Sequence, residues 1–243
     1  MPRLGLGSSL SGGIVQDPFS NAGYITFDGA NDYVDCGRDS SLDVGTGDFS
    51  LSAWIKTSVS DDQTIMSKGS GGAGGKRYSF STNSSGYLVG NLDDNTASTN
   101  ITGGTDVSDN AWHHVVIVYD RDGNGQAYLD NSTDGSAVDI TGSDGTLNDT
   151  GKDFCIGVFS HDEADAAFTG SIDEVAIFTK VLTSGEISTL YGGGAPGTAG
   201  NANEVGSLVG YWRMEEGTGT TAADSSANSN TGTLKNSPTW ATH

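Results

Sequence analysis

FSLSAWIK, residues 49–56, decides the fold class. Phe49, Leu51, Ala53 and Ile55 alternate with Ser50, Ser52, Trp54 and Lys56. A period of two puts the two sets on opposite sides of an extended chain, as in a strand with one face against a core. Shorter bursts with strand character flank it at 24–28, 32–36, 64–67, 77–81, 87–92, 113–119, 126–130, 154–158 and 172–178. Gly29-Ala30-Asn31 makes a turn between the first two. Short, irregular spacing between many thin strands predicts a sandwich and not βαβ units. One helix is expected near 184–191. Thr183 and Glu186 stand at capping-box spacing, Ile187, Leu190 and Tyr191 can share a face, and three glycines from Gly192 end it.

Composition agrees with thin strands and long polar connections. Of 243 residues 34% are hydrophobic, and Gly occurs 37 times against four Pro. Eleven basic residues face 31 acidic ones, a formal net charge of −20. Such a surface repels phosphate backbones, so a nucleic-acid reader is excluded. No stretch is long and apolar enough to span a membrane. The start, MPRLGLGSSLSGG, has one basic residue and no apolar core of signal-peptide length. Cytoplasmic synthesis without a signal peptide, followed by a virion or extracellular location, is the expectation. Cys36 and Cys155 each sit in a strand-like burst; two buried thiols are expected, with one disulfide as the alternative.

Four segments together resemble one family: YITFDGANDYVDCG (24–37), FSLSAWIKT (49–57), WHHVVIVYDRDGNGQAYLDN (112–131) and GSIDEVAIFTKVLTSGEISTLYGGG (170–194). They are similar, in order, to the laminin-G-like, concanavalin A-like jelly roll. The resemblance implies an all-β, two-sheet antiparallel sandwich used for sugar binding, adhesion or structure. LVGYWRMEEGTGTTAADSSANSNTGTL (208–234) looks like the motif that opens such a domain, yet here it comes last. The expected organisation is an N-terminal arm (1–23), the sandwich (24–192), a linker (193–206) and a segment (207–243) completing the sandwich as a permuted opening strand. This order, with its Gly- and Ser-rich start, is similar to chains from tailed-phage structural regions.

The resemblance also implies one structural calcium between the opening strand and the IDEV-type strand. Asp173 is the first candidate ligand and Glu216 the second, followed by Asp28 and Asp224; calcium takes six or more hard oxygens, carbonyls included. The alternative is that these are edge and turn carboxylates facing water. Asp120-Arg121-Asp122-Gly123-Asn124-Gly125 echoes the start of an EF-hand loop, but residue 131 is Asn and no helices flank it. Asn124-Gly125 marks a hairpin instead. His113 and His114, adjacent on a strand, point to opposite faces and cannot share an ion.

No catalytic signature is present. Closely spaced Glu-x-Asp-x-Glu carboxylates of a sandwich glycosidase are missing, as are a G-x-S-x-G elbow and a phosphate loop. Asp173-Glu174 and Glu215-Glu216 are sequence neighbours, which would point apart on a strand. Trp54, Trp112 and Trp212 are expected in the core. Contact surfaces are expected in the loops at 70–76, 91–109 and 160–165, the last containing His161 and Asp165, with no sugar contact assigned to a residue. The preferred function is a non-catalytic, virion-associated structural or adhesive protein, a capsid-surface or tail-fibre component. Its expected partners are other virion or surface proteins, further copies of itself and a glycan. The alternative is a free glycan-binding lectin of a bacterial or environmental surface.

Overall fold

The computed structural model describes residues 21–70, 75–159 and 166–243. The first strands are β1 (Gly23–Asp28), β2 (Tyr33–Asp35), β3 (Phe49–Lys56), β4 (Gln63–Gly69), β5 (Lys76–Thr82) and β6 (Tyr87–Asp94). Next come β7 (Ser98–Asp106), β8 (His113–Tyr119), β9 (Asn124–Leu129), β10 (Ser132–Asp139), β11 (Phe154–Ile156) and β12 (Thr169–Phe178). Helix α1 (Ser184–Tyr191) precedes β13 (Leu208–Trp212), β14 (Thr221–Ala222), β15 (Gly232–Lys235) and β16 (Thr239–Thr242). The first sheet runs β10-β9-β8-β3-β12-β1-β16, with β13 on the second half of β12; the second runs β14-β15-β2-β11-β4-β5-β6-β7. This is the antiparallel jelly-roll sandwich.

Alternation builds the core. Ile25, Phe27, Leu51, Ile55, Val115, Ile117 and Ile172 of the first sheet meet Tyr78, Phe80, Leu88, Leu92, Ile101, Phe154 and Ile156 of the second. Each such side chain, fully buried, stabilises the fold by about 1.5–3 kcal/mol. On the other side of the first sheet, Ile187 and Leu190 of α1 pack on Val116, Val118, Ala176, Phe178 and Tyr211. Thr183 and Glu186 cap α1 reciprocally.

The last segment is wound into both sheets. β13 pairs with β12, β15 with β2 and β16 with β1. Trp212 and Met214 are core residues, and Trp212 stacks on Phe154 at 5.3 Å. The 193–206 stretch is packed rather than loose: two 3-10 turns bury Ala202 and Pro196. Cys36 and Cys155 are two buried thiols with no disulfide between them. Asp35 pairs with Cys155, so Cys36 faces the core while Cys155 lies with Tyr33 and Val158 on the opposite side.

Three expectations need correction. Residues 91–109 are not a loop, because β7 crosses most of them, paired with β6 from Val89–Thr102 to Asp93–Ser98. The tip of the β8–β9 hairpin is Asp120–Gly123, closed by the Gly123 amide donating to the Asp120 carbonyl, and Asn124-Gly125 opens β9. Trp112 is only half-buried, edge-on to Tyr24 at 5.2 Å and beside the His243 ring at 5.4 Å. It precedes β8 and so escapes the alternation that sends Val115 and Ile117 inward.

Candidate functional site

The four nominated carboxylates do not converge. Asp173 is fully buried on β12, where its carboxylate accepts from the Asn21 amide at 3.3 Å and the His243 imidazole at 3.0 Å. Asp28 is exposed at the far end of β1, opposite Thr169 whereas Ile25 lies opposite Ile172. Four residues of strand separate it from Tyr24, roughly 13 Å at about 3.3 Å per residue. Glu216 is exposed and accepts from the Ala223 amide. Asp224 organises its own loop, accepting from the amides of Tyr211, Ser226 and Asn230. Among the described residues no three His, Cys, Asp or Glu side chains gather as a metal-binding cluster.

What surrounds Asp173 is a different set. Glu215, not its neighbour Glu216, turns toward β1 and accepts from the amides of Ala22 and Gly23. The Asn21 amide nitrogen is 2.5 Å from the Pro196 carbonyl, while its Oδ1 is buried without a partner. Asp173, Asn21, the Pro196 carbonyl and Glu215 thus offer the hard oxygens calcium takes. Of the nominated set only Asp173 fits such an ion, and His243 now holds one of its oxygens.

Asp173 and Glu174 do not point apart. The β12–β3 register shifts between Asp173 and Ala176, and Glu174 has φ of +50°. This bulge breaks the two-residue period, so both carboxyl groups lie on the side covered by α1. Glu174 is bonded to the Tyr211 hydroxyl and lines a cavity of about 10 Å³ with Ser52, Trp54 and His114. Burial, reinforced by Asp173, pushes the Glu174 carboxyl up to about 8. Burial also raises Asp173 to about 6 and lowers His114 to about 4. Such a cavity accepts one water molecule and no substrate. His113 and His114 part as the alternation requires: His114 meets Ser52, and His113 bonds Asp130 and Asp109.

The open face of the second sheet carries a groove of about 310 Å³. Core-facing Tyr78, Phe80, Leu88 and Ile101 send their neighbours outward, and the pairing aligns those neighbours in rows. One row is Thr64–Ser81–Val89–Thr102, and the next is Ser67–Ser79–Asn91–Asn100. Phe159 and Asp62 contribute to the groove wall. Its chemistry is that of hydroxyls and amides around a small apolar floor, with one carboxylate, Asp62, and no Lys, Arg or His among the described lining residues. The sequence marks these positions only as the polar half of an alternation. Of the loops nominated for contact, residues 71–74 and 160–165 lie outside the described residues.

A sequence model of the concanavalin A-like lectin/glucanases superfamily matches residues 28–188. No curated protein sequence matches the chain. Among solved structures, a candidate carbohydrate binding protein from Bacteroides ovatus superposes with a TM-score of 0.69 at 19% identity, over 93% of this chain and 61% of that one. A heptameric SAP-like pentraxin from Limulus polyphemus gives 0.61 at 15% identity, over 91% and 95% of the two chains. The LG4-5 domains of mouse laminin α1 give 0.53 at 17% identity, over 75% and 48%. The chain therefore spans about three fifths of the Bacteroides protein. At these identities the likeness is one of fold. With the family match over most of its length, the chain belongs to the concanavalin A-like lectin/glucanases superfamily.

Proposed function

We propose that this chain is a non-catalytic, carbohydrate-binding adhesive domain whose ligand lies in the groove across β4–β7. The supporting observation is the groove itself: about 310 Å³ of open space walled by Ser79, Ser81, Asn100 and Thr102, with Val89 and Phe159 as apolar surface. Small-molecule sites run from about 300 to 1,000 Å³, so this one suits about one or two sugar rings of a longer chain. Hydroxyl and amide groups match sugar hydroxyls, since both donate and accept. The Bacteroides relative, described in terms of carbohydrate binding, is consistent with this reading.

The non-catalytic part rests on where the acids are. Glu174 lines a cavity under α1 with room for one water, and its neighbour Asp173 is fully buried against Asn21 and His243. A glycosidase needs two carboxyl groups flanking an accessible glycosidic bond. Virion or particle-surface attachment, a setting for such a domain, rests on the sequence resemblance alone. A structural calcium at Asp173, Asn21 and Glu215 would tie β1 to the C-terminal segment and take no part in sugar contact.

Retention on insoluble xylan, mannan, β-glucan and chitin tests the function. Wild type should be retained on at least one, and a Ser81→Tyr/Thr102→Trp double variant, which fills the groove, should pass through. Equal retention of the two would overturn the groove as the site. Release of reducing ends by wild type, abolished in Glu174→Gln, would overturn the non-catalytic reading.

A further inference from the structure

Arg77 stands one row beyond the groove, and its contacts reach the wall. Its row is Gly69–Arg77–Asp93–Ser98. The Arg77 Nε donates to Asn91 Oδ1 at 2.6 Å, and its Nη1 is 3.4 Å from Asp93. The guanidinium also lies over the Phe159 ring, 5.9 Å from its centroid. The positive charge is therefore engaged by a carboxylate, an amide oxygen and an aromatic face.

The consequence runs along the next row. Arginine has only donors, so Asn91 must turn its oxygen to it. That leaves the Asn91 nitrogen to donate, and it reaches Asn100 Oδ1 at 2.6 Å. Asn100 is thereby fixed with its nitrogen as the free end. Asn100 is exposed, and its Nδ2 makes no bond among the described residues. The relay Arg77–Asn91–Asn100 converts a cation into an oriented neutral donor in the groove.

We infer that the groove selects neutral glycans over anionic ones, with Arg77 acting as a positioning residue for the Asn100 amide; this rests on the groove being the glycan site. Among the described residues an acidic sugar gains no free cation here. It meets the exposed Asp62 carboxylate in the wall and a chain of net charge −20. A neutral chain finds one fixed N–H donor, the hydroxyls of Ser81 and Thr102, and the apolar Val89 and Phe159.

Calorimetric titration of the full chain with laminarihexaose, xylohexaose, mannohexaose and chitohexaose, against hexagalacturonate, tests this. At least one neutral hexamer should bind, with Kd changing less than twofold between 50 and 500 mM NaCl. Hexagalacturonate should bind at least tenfold more weakly. Arg77→Lys keeps the charge but loses the fixed fork, and should weaken the neutral ligand about tenfold with the melting temperature held. Asn91→Asp, unable to donate to Asn100, should do the same. Hexagalacturonate binding as tightly as the neutral ligands, in a salt-sensitive way and lost in Thr102→Trp, would overturn the selectivity and leave the groove standing. Undiminished neutral binding in both Arg77→Lys and Asn91→Asp would overturn the relay. Binding by none of the five, or binding that persists in Thr102→Trp, would overturn the groove reading and this inference with it.

Discussion

The outer faces of the two sheets have opposite designs. On the first sheet, α1 and the 193–206 stretch cover the strands, and Asp173, Glu174, His114 and Tyr211 are shut beneath them. On the second sheet, β4–β7 carry a groove of serine, threonine and asparagine side chains with one carboxylate, Asp62, and no basic or imidazole group among its described lining residues. The residues whose protonation is most disturbed are thus the ones a ligand cannot reach, and the described groove lining is neutral apart from the exposed Asp62. Disturbed protonation often marks active sites, but structural burial disturbs it as well. Here it marks the seam where the C-terminal segment closes the fold.

The seam should carry large effects on stability and the open face almost none. The greatest loss is expected from a chain ending at residue 200, which removes the fully buried Tyr211 and Trp212 together with Met214 and Ala222. Side chains worth about 1.5–3 kcal/mol each together rival the whole stability of a domain held by about 5–15 kcal/mol. It should be insoluble or melt without cooperativity, and the 201–243 peptide should restore folding. A cooperative melt of the truncated chain alone would show that the segment is a tail.

Glu174→Gln comes next. The folded carboxyl titrates at about 8, against an ordinary value of 4.5. Burial holds the proton in the folded state, so ionisation favours unfolding. The contribution of protonated Glu174 is complete below pH 4.5, declines as pH rises toward 8 and levels off above it. At about 1.36 kcal/mol per pH unit, an upper limit of a few kcal/mol is at stake. Glutamine keeps the neutral contact with Tyr211, so the variant should gain on wild type from pH 5 to pH 8.5 in urea unfolding. Parallel stabilities across that range would contradict the buried, neutral acid.

A smaller effect is expected from calcium at the same seam. An ion bound only by the folded state raises stability by mass action, about 2.7 kcal/mol at one hundred times Kd. Chelator should lower the melting temperature by several degrees, and Asp173→Asn should melt lower and lose the response. Equal melting of wild type in calcium and in chelator would remove the ion from the seam. On the open face, Thr102→Ala should change unfolding free energy by less than about 0.5 kcal/mol, as exposed substitutions do. A larger loss would mean that this face carries structure rather than a ligand.

The sequence displayed the covered core far better than the open site. Alternation in β3 is plain, and β8 shows as a continuous apolar run because one face meets the core and the other lies under α1. β7 and β10 were hidden: STNITGGTD and STDGSAVD are polar and glycine-bearing, and they are strands because β6 and β9 pair with them. The bulge at Glu174 and the turning of Glu215 rather than Glu216 toward β1 depend on backbone angles set by packing. Ser79, Ser81, Asn100 and Thr102 read as an ordinary solvated half of each strand. Only the alignment of four strands turns them into a groove, and that register is not written in any one segment.

The most direct measurement is an amide chemical-shift titration of the full chain with the neutral hexasaccharide that it retains. Saturable shifts confined to the outer positions of β4–β7, centred on Ser79, Ser81, Val89, Asn100 and Thr102, are the expected result. Saturable shifts centred instead on the half-buried Tyr24, Trp112 and His243 rings, with β5–β7 unmoved, would contradict the assignment of the site.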